Sequence, residues 1–175
     1  RWRGLRPARG GPPRALGAAF MSSWRAAVRA RLGAFRLDVD VASGGGVLAL
    51  VGANGSGKTT FLRAIAGALT ADAAEIVVDG HVLESTTRGR REPIERREIG
   101  YVPPGSGLFP HLSVLDNVAF GLSTGPNRQR RAARRERAAA MLEALSCGSL
   151  VHRGVGDLSG GERQRVALAR ALLRE

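Results

Sequence analysis

The sequence predicts an α/β fold with an inserted helical lobe. Strand-like alternation and short apolar runs recur between residues 35 and 102. Helix-period patterns with capping signals take over afterwards. A glycine-rich loop joins a short apolar run to an amphipathic pattern, the strand–loop–helix order of an α/β core.

Taken in order, residues 1–20 hold five arginines, three prolines, four glycines and no acid. They read as a disordered basic tail, with a start at Met21 as the working hypothesis. Phe35, Leu37, Val39 and Val41 alternate with Arg36, Asp38 and Asp40, a half-buried strand. Ser43-Gly44-Gly45-Gly46 is a turn, and Val47–Val51 reads as a strand covered on both faces. Phe61, Leu62, Ile65 and Leu69 mark one helix face. Glu75–Val78 is a strand ending at the hairpin pair Asp79-Gly80, and Ile99–Val102 is another short strand. Ser113 with Asp116 resembles a capping box opening a helix through Val118 and Phe120. A basic helix runs from about Gln129 to Leu145. Ala138, Met141, Leu142 and Leu145 form its buried stripe, Gly148 lies just beyond it, and its arginines read as a solvated face. The last helix opens at Ser159, with Val166, Ala169, Leu172 and Leu173 inward.

Composition narrows the function. The 175 residues suit about one domain, and 43% apolar content is enough for a packed core. No run approaches the roughly 18 apolar residues of a membrane span. A single cysteine, Cys147, excludes an internal disulfide framework and points to a reducing compartment. It reads as a small core or surface residue. His81, His111 and His152 are isolated and lack metal-ligand spacing. The net charge is +12, of which five charges sit in the basic tail. Twenty-six of the cations are arginine and one is lysine, Lys58. Either this is mutational bias in the coding DNA plus chance, or the site around Lys58 needs a compact ammonium rather than a planar fork, and its surroundings decide.

Gly52-Ala53-Asn54-Gly55-Ser56-Gly57-Lys58-Thr59, followed by Thr60, fits G-x-x-x-x-G-K-[ST]. Glycines let the backbone wrap a phosphate with its amides pointing inward, and the following helix presents its positive end. Lys58 would bridge β- and γ-phosphates, and the Thr59 hydroxyl would bind Mg²⁺. Downstream, Leu158-Ser159-Gly160-Gly161-Glu162 combines a capping box with a bare first helical turn.

With both strings in place, the chain from about Ala27 onward resembles the nucleotide-binding subunit of ATP-binding-cassette (ABC) transporters. Arg96–Val102 and Leu108–Val114 resemble the importer branch, and Arg31–Leu37 is similar to the start of molybdate-importer ATPases. The resemblance implies a P-loop NTPase core of ABC type, with an antiparallel β subdomain and an inserted helical lobe. The phosphate-loop core and β subdomain would occupy residues 21–102, the helical lobe 103–157 and the signature helix 158–175. It implies ATP and Mg²⁺ as ligands, with Gly52 to Thr60 on the phosphates. Phe35 falls where the family stacks an aromatic on adenine; packing under its own strand is the alternative. Ser159, Gly160, Gly161 and Glu162 would close on ATP held by a second nucleotide-binding subunit in a head-to-tail dimer. The Phe109–Asn117 region would face a membrane permease at the cytoplasmic face of the membrane. The activity implied is ATP hydrolysis driving solute import, of molybdate or another oxyanion.

Two departures qualify this. Pro104 stands where the family usually has a glutamine that contacts Mg²⁺ and water, and proline offers no side-chain donor or acceptor. Either coupling is impaired, Ser106 or water substitutes, or the sequence carries an error at this position. The chain is also expected to be C-terminally incomplete, stopping before the family's Walker B strand, catalytic glutamate and switch histidine. Ile76-Val77-Val78-Asp79 mimics a Walker B string but runs into a turn. Residues 1–175 alone are therefore expected to bind nucleotide poorly and hydrolyse it negligibly. Two other readings stand beside import: a non-transport ABC ATPase acting on DNA, and a non-catalytic half-site paired with a competent partner. The DNA reading is disfavoured because the 101 residues from Lys58 to Ser159 leave no room for a long coiled coil, so no nucleic acid is expected.

Overall fold

The computed structural model describes residues 23–122 and 128–173. The expectations for the tail and for a start at Met21 lie outside them. The chain divides into two compact units, residues 1–97 and 98–175.

The first unit is built on an antiparallel sheet of order β2-β1-β3-β4-β5. β1 (Trp24–Leu32) and β2 (Phe35–Ser43) form a hairpin in full register, from Trp24 opposite Ser43 to Leu32 opposite Phe35. Gly33, at φ 59, supplies the left-handed backbone of its two-residue turn. Ala26, Val28, Ala30, Leu37, Val39 and Val41 point inward and are buried. On the outer face Arg25 pairs with Asp40 at 2.9 Å and Arg29 with Asp38 at 3.4 Å. β1 gave little sequence signal because its inward positions include two alanines, which blunt the apolar alternation. β3 (Ala73–Val78) pairs with β1 and with β4 (His81–Ser85). Asp79 and Gly80 both take positive φ, the mirror-type turn expected of that pair. β5 is the short Arg90–Arg91.

Helix α1 (Lys58–Ile65) follows the glycine-rich loop. Phe61 and Ala64 are its buried residues. Leu62, expected on the buried face, is 45% exposed, and Leu69 lies past the helix end. The run Val47–Val51 is not a strand: Val47 and Val51 are 61% and 68% exposed. Ile99–Val102 is not a strand either. The reason is the same for both: no strand among the described residues lies alongside to complete a hydrogen-bonded ladder.

The second unit packs three helices. α2 (Val114–Ala119) opens on Ser113, whose hydroxyl accepts from the Asp116 amide. α3 (Arg128–Ala144) buries Ala138 and Leu142. Its C-terminus is turned by Ser146 at φ 56, with the Cys147 amide donating to Leu142 O at 2.7 Å. A serine, rather than the nearby Gly148, therefore takes the left-handed closing position. α4 (Gly160–Leu172) buries Val166, Ala167 and Ala169. Val166 and Ala169, with Val118, Leu122, fully buried Cys147, Leu150 and Leu158, form one core. Gly100 lies against α4: a Cβ there would come 2.5 Å from the Ala171 carbonyl oxygen. The α3 arginines are not simply solvated, since Arg135 pairs with Asp116 and Arg134 donates to Leu122 O.

Candidate functional site

The glycine-rich loop gathers most of the predicted residues. Gly55 and Gly57 take φ 79 and 93, which turns the chain so that α1 begins at Lys58. Gly57 is also sterically required, because a Cβ there would meet Phe35 Cζ at 2.7 Å and Leu37 Cδ1 at 2.8 Å. β2 thus seats the N-terminal end of α1. Phe35 is half-buried, its ring against Gly57.

A cleft of about 530 Å³ opens over this end of α1. It is lined by Leu32 and Phe35 from the hairpin and by the loop and first turn from Asn54 to Thr60. One wall is therefore apolar and aromatic, and the floor is glycine backbone with the hydroxyls of Ser56, Thr59 and Thr60. Gly52 and Ala53 are exposed and enter the site through their carbonyl oxygens. The Lys58 ammonium donates to both at 2.8 Å and reaches Ser56 Oγ at 3.5 Å. Lys58 is the cleft's one ionic side chain; no carboxylate or histidine lines it among the described residues. The site is built to meet an anion: one ammonium, the N-terminal amides of a helix, and no competing negative charge. Thr59 is exposed at the rim. Among the described residues no cluster of three or more His, Cys, Asp or Glu could hold a metal.

Ser159, Gly160, Gly161 and Glu162 belong to the second unit, at the start of α4. Ser159 caps the helix and accepts from the Glu162 amide, while the Glu162 carboxylate accepts from the Ser159 amide at 2.7 Å. That backbone donor holds the Glu162 carboxyl below the usual carboxylate range. Gly160 and Gly161 are exposed, and a Cβ on Gly160 would meet open space.

The Phe109–Asn117 segment divides by burial. Asn117 is fully buried: its side-chain amide donates to the carbonyls of Phe109, Leu112 and Ser113 and accepts from the Phe109 amide at 2.7 Å. Val114 and Leu115 are core. Phe109–Ser113 and the Asp116 side chain reach the surface, and Phe120 beside them is 58% exposed, its ring tilted at 52° to that of Phe109 with centres 4.6 Å apart. The Arg170 guanidinium of α4 lies over the Phe109 ring, 5.2 Å from its centre. The sequence reads Phe120 only as a residue of the helix opened by Ser113, and Arg170 carries no sequence reading, since neither falls within the motif strings. Pro104 is exposed in a loop whose next three residues, Gly105, Ser106 and Gly107, all have positive φ. The Ser106 hydroxyl donates to the Gly105 carbonyl. Asp79, the acid of the Walker B look-alike, accepts from the Ser23 amide and holds the start of β1.

A family model described as ABC transporter matches residues 36–175. The chain belongs to that family. Among the relatives of this ABC chain is the molybdenum import ATP-binding protein ModC of Rhizobium etli, 46% identical over 143 residues. That alignment covers 82% of the chain and 39% of the relative. The molybdate/tungstate import ATP-binding protein WtpC of Archaeoglobus fulgidus is 45% identical over 143 residues, covering 82% and 55%. Among solved structures, the ADP conformation of an ATP-binding cassette of an ABC transporter superposes with a TM-score of 0.64 at 26% identity, covering 87% of this chain and 65% of that one. The ABC chain thus spans less than two thirds of each of these proteins.

Proposed function

We propose that this chain is the phosphate-gripping part of an ATP-binding subunit that powers import of molybdate or a similar oxyanion through a membrane permease. The observation that carries the reading is the Lys58 ammonium at the start of α1, held by two loop carbonyls over a cleft with no negative charge. A triphosphate entering there would exchange neutral acceptors for anionic ones, and charge-assisted hydrogen bonds are about twice as strong. The Gly55–Thr60 amides would take the remaining phosphate oxygens. Thr59 is the one predicted Mg²⁺ ligand, which fits a cation that arrives on phosphate with few protein ligands. Mg²⁺ would neutralise phosphate charge. Phe35 would offer its open ring face to the base while its edge stays against Gly57.

The bare glycine turn of α4 would close on the nucleotide of a second subunit. The aromatic patch of Phe109, His111 and Phe120 would meet the permease, with Asn117 holding that surface from behind. No helix among the described residues is long and apolar enough to cross a membrane. Attachment to the cytoplasmic face would therefore run through that patch. The resemblance of both relatives named for molybdenum or molybdate import supports the oxyanion.

The test is a titration with Mg-ATP. Saturable, weak binding by the 175-residue chain is expected, reduced roughly 10- to 100-fold in Lys58→Ala, the loss of one charge-assisted hydrogen bond set. Equal affinity in the two proteins would overturn the reading, and so would salt-dependent affinity for duplex DNA in place of nucleotide.

A further inference from the structure

We infer that Arg97 is a positioning residue for the phosphate loop, acting through the far end of α1; this rests on the nucleotide reading above. The Arg97 side chain is wholly buried, and its fork is spent on four partners. Nε donates to the Glu92 carbonyl at 2.9 Å. Nη1 donates to the carbonyls of Ala64 and Ile65, the last turn of α1, at 3.1 and 3.0 Å. Nη2 donates to the carboxylate of Glu84 on β4, itself 5% exposed. The chain then folds tightly over the guanidinium at Gly67, where φ is +81 and a Cβ would lie 2.6 Å from Nε.

Helix α1 has eight residues, so it is a rod about 12 Å long. Only two of its side chains are buried, Phe61 and Ala64. Its direction is therefore set largely at its ends. Phe35 and Leu37 hold Gly57 at one end, and Arg97 holds the closing carbonyls at the other. Tilting the rod at its C-terminus moves the amides of Lys58, Thr59 and Thr60 that face the cleft. Lysine cannot replace this group, because one compact ammonium cannot reach a carboxylate and three carbonyls on different elements at once.

The experiment uses the 175-residue chain with Arg97→Lys, Arg97→Met and Glu84→Gln. Affinity for a fluorescent N-methylanthraniloyl-ATP with Mg²⁺ is measured at a temperature where circular dichroism shows each protein folded, alongside its melting temperature and amide hydrogen exchange. Positioning predicts a Kd raised roughly tenfold or more in Arg97→Lys, with exchange accelerated in α1 and the loop ahead of β1 and β2. A lowered melting temperature with Kd within about twofold of the parent, and exchange raised equally across sheet and helix, would overturn it. If Arg97→Met fails to fold, Arg97→Lys and Glu84→Gln decide. Should the parent chain bind no nucleotide, the reading above falls, and the exchange pattern alone then settles whether Arg97 orders the loop.

Discussion

At the scale of single residues, Gly57 joins two demands: a left-handed backbone and a surface flat enough for Phe35 and Leu37 to rest on. Gly57→Ala breaks both. It should destabilise the first unit by roughly 1–3 kcal/mol from backbone strain alone, read as a lowered melting temperature, and remove nucleotide binding. Glu162 makes a pH prediction. Its carboxyl is held below the ordinary range by the Ser159 amide, so the charged form favours the folded state. That contribution is fully present above about pH 4.3 and is lost as pH falls through the lower folded value. The melting-temperature difference between parent and Glu162→Gln should stay constant from pH 7 to 5 and shrink below 4. A difference that grows on acidification would contradict the cap. Lys58 was legible in the sequence by spacing alone, and Gly57 with it. The link from Arg97 to α1 was not, because it runs to backbone carbonyls 32 and 33 positions away, and no local pattern encodes those.

At the scale of elements, local chemistry predicted well where an element closes on itself and poorly where it needs a distant neighbour. The Asp79-Gly80 hairpin and the Ser159 capping box are complete within a few residues and stand as read; at Ser113 the cap forms but the reciprocal half of the expected box does not, because the Asp116 carboxylate accepts from the Ser113 hydroxyl instead of the Ser113 amide. The apolar runs Val47–Val51 and Ile99–Val102 have strand composition, yet a strand is defined by what pairs with it. The segment leading into α2 illustrates a third case. Asn117 reads as a helix polar residue, but it is the peg on which Phe109–Ser113 hangs. Asn117→Leu would remove four side-chain bonds; the Phe109 and Ser113 carbonyls keep the bonds they accept from the backbone amides of residues 112 and 117, while the Phe109 amide and Leu112 carbonyl lose theirs, at a cost of roughly 1–3 kcal/mol for each that water cannot reach. A loss of at least about 2 kcal/mol in denaturant unfolding of the second unit is expected. The aromatic patch should lose order before α2 and α4 do.

At the scale of the whole molecule, the two units divide the chemistry. The first carries the cleft with the Lys58 ammonium, and the second carries the capped glycine turn and the aromatic patch. The cleft contains no general base among the described residues, and positioned proton transfer is worth about 10²- to 10⁴-fold. The 175-residue chain should therefore release phosphate no faster than its Lys58→Ala variant in a steady-state assay, even where binding is measurable. Arginine supplies every other cation in the chain, whose guanidinium stays protonated and inert to acylation. An amine-directed acylating reagent thus finds only two targets, the α-amine and the Lys58 ammonium. Because Lys58 sits on two carbonyls at the cleft, its labelling rate would gauge occupancy by the proposed phosphate ligand. Digestion after lysine, which divides the chain at that one bond, reports the same event as a cut that the label blocks.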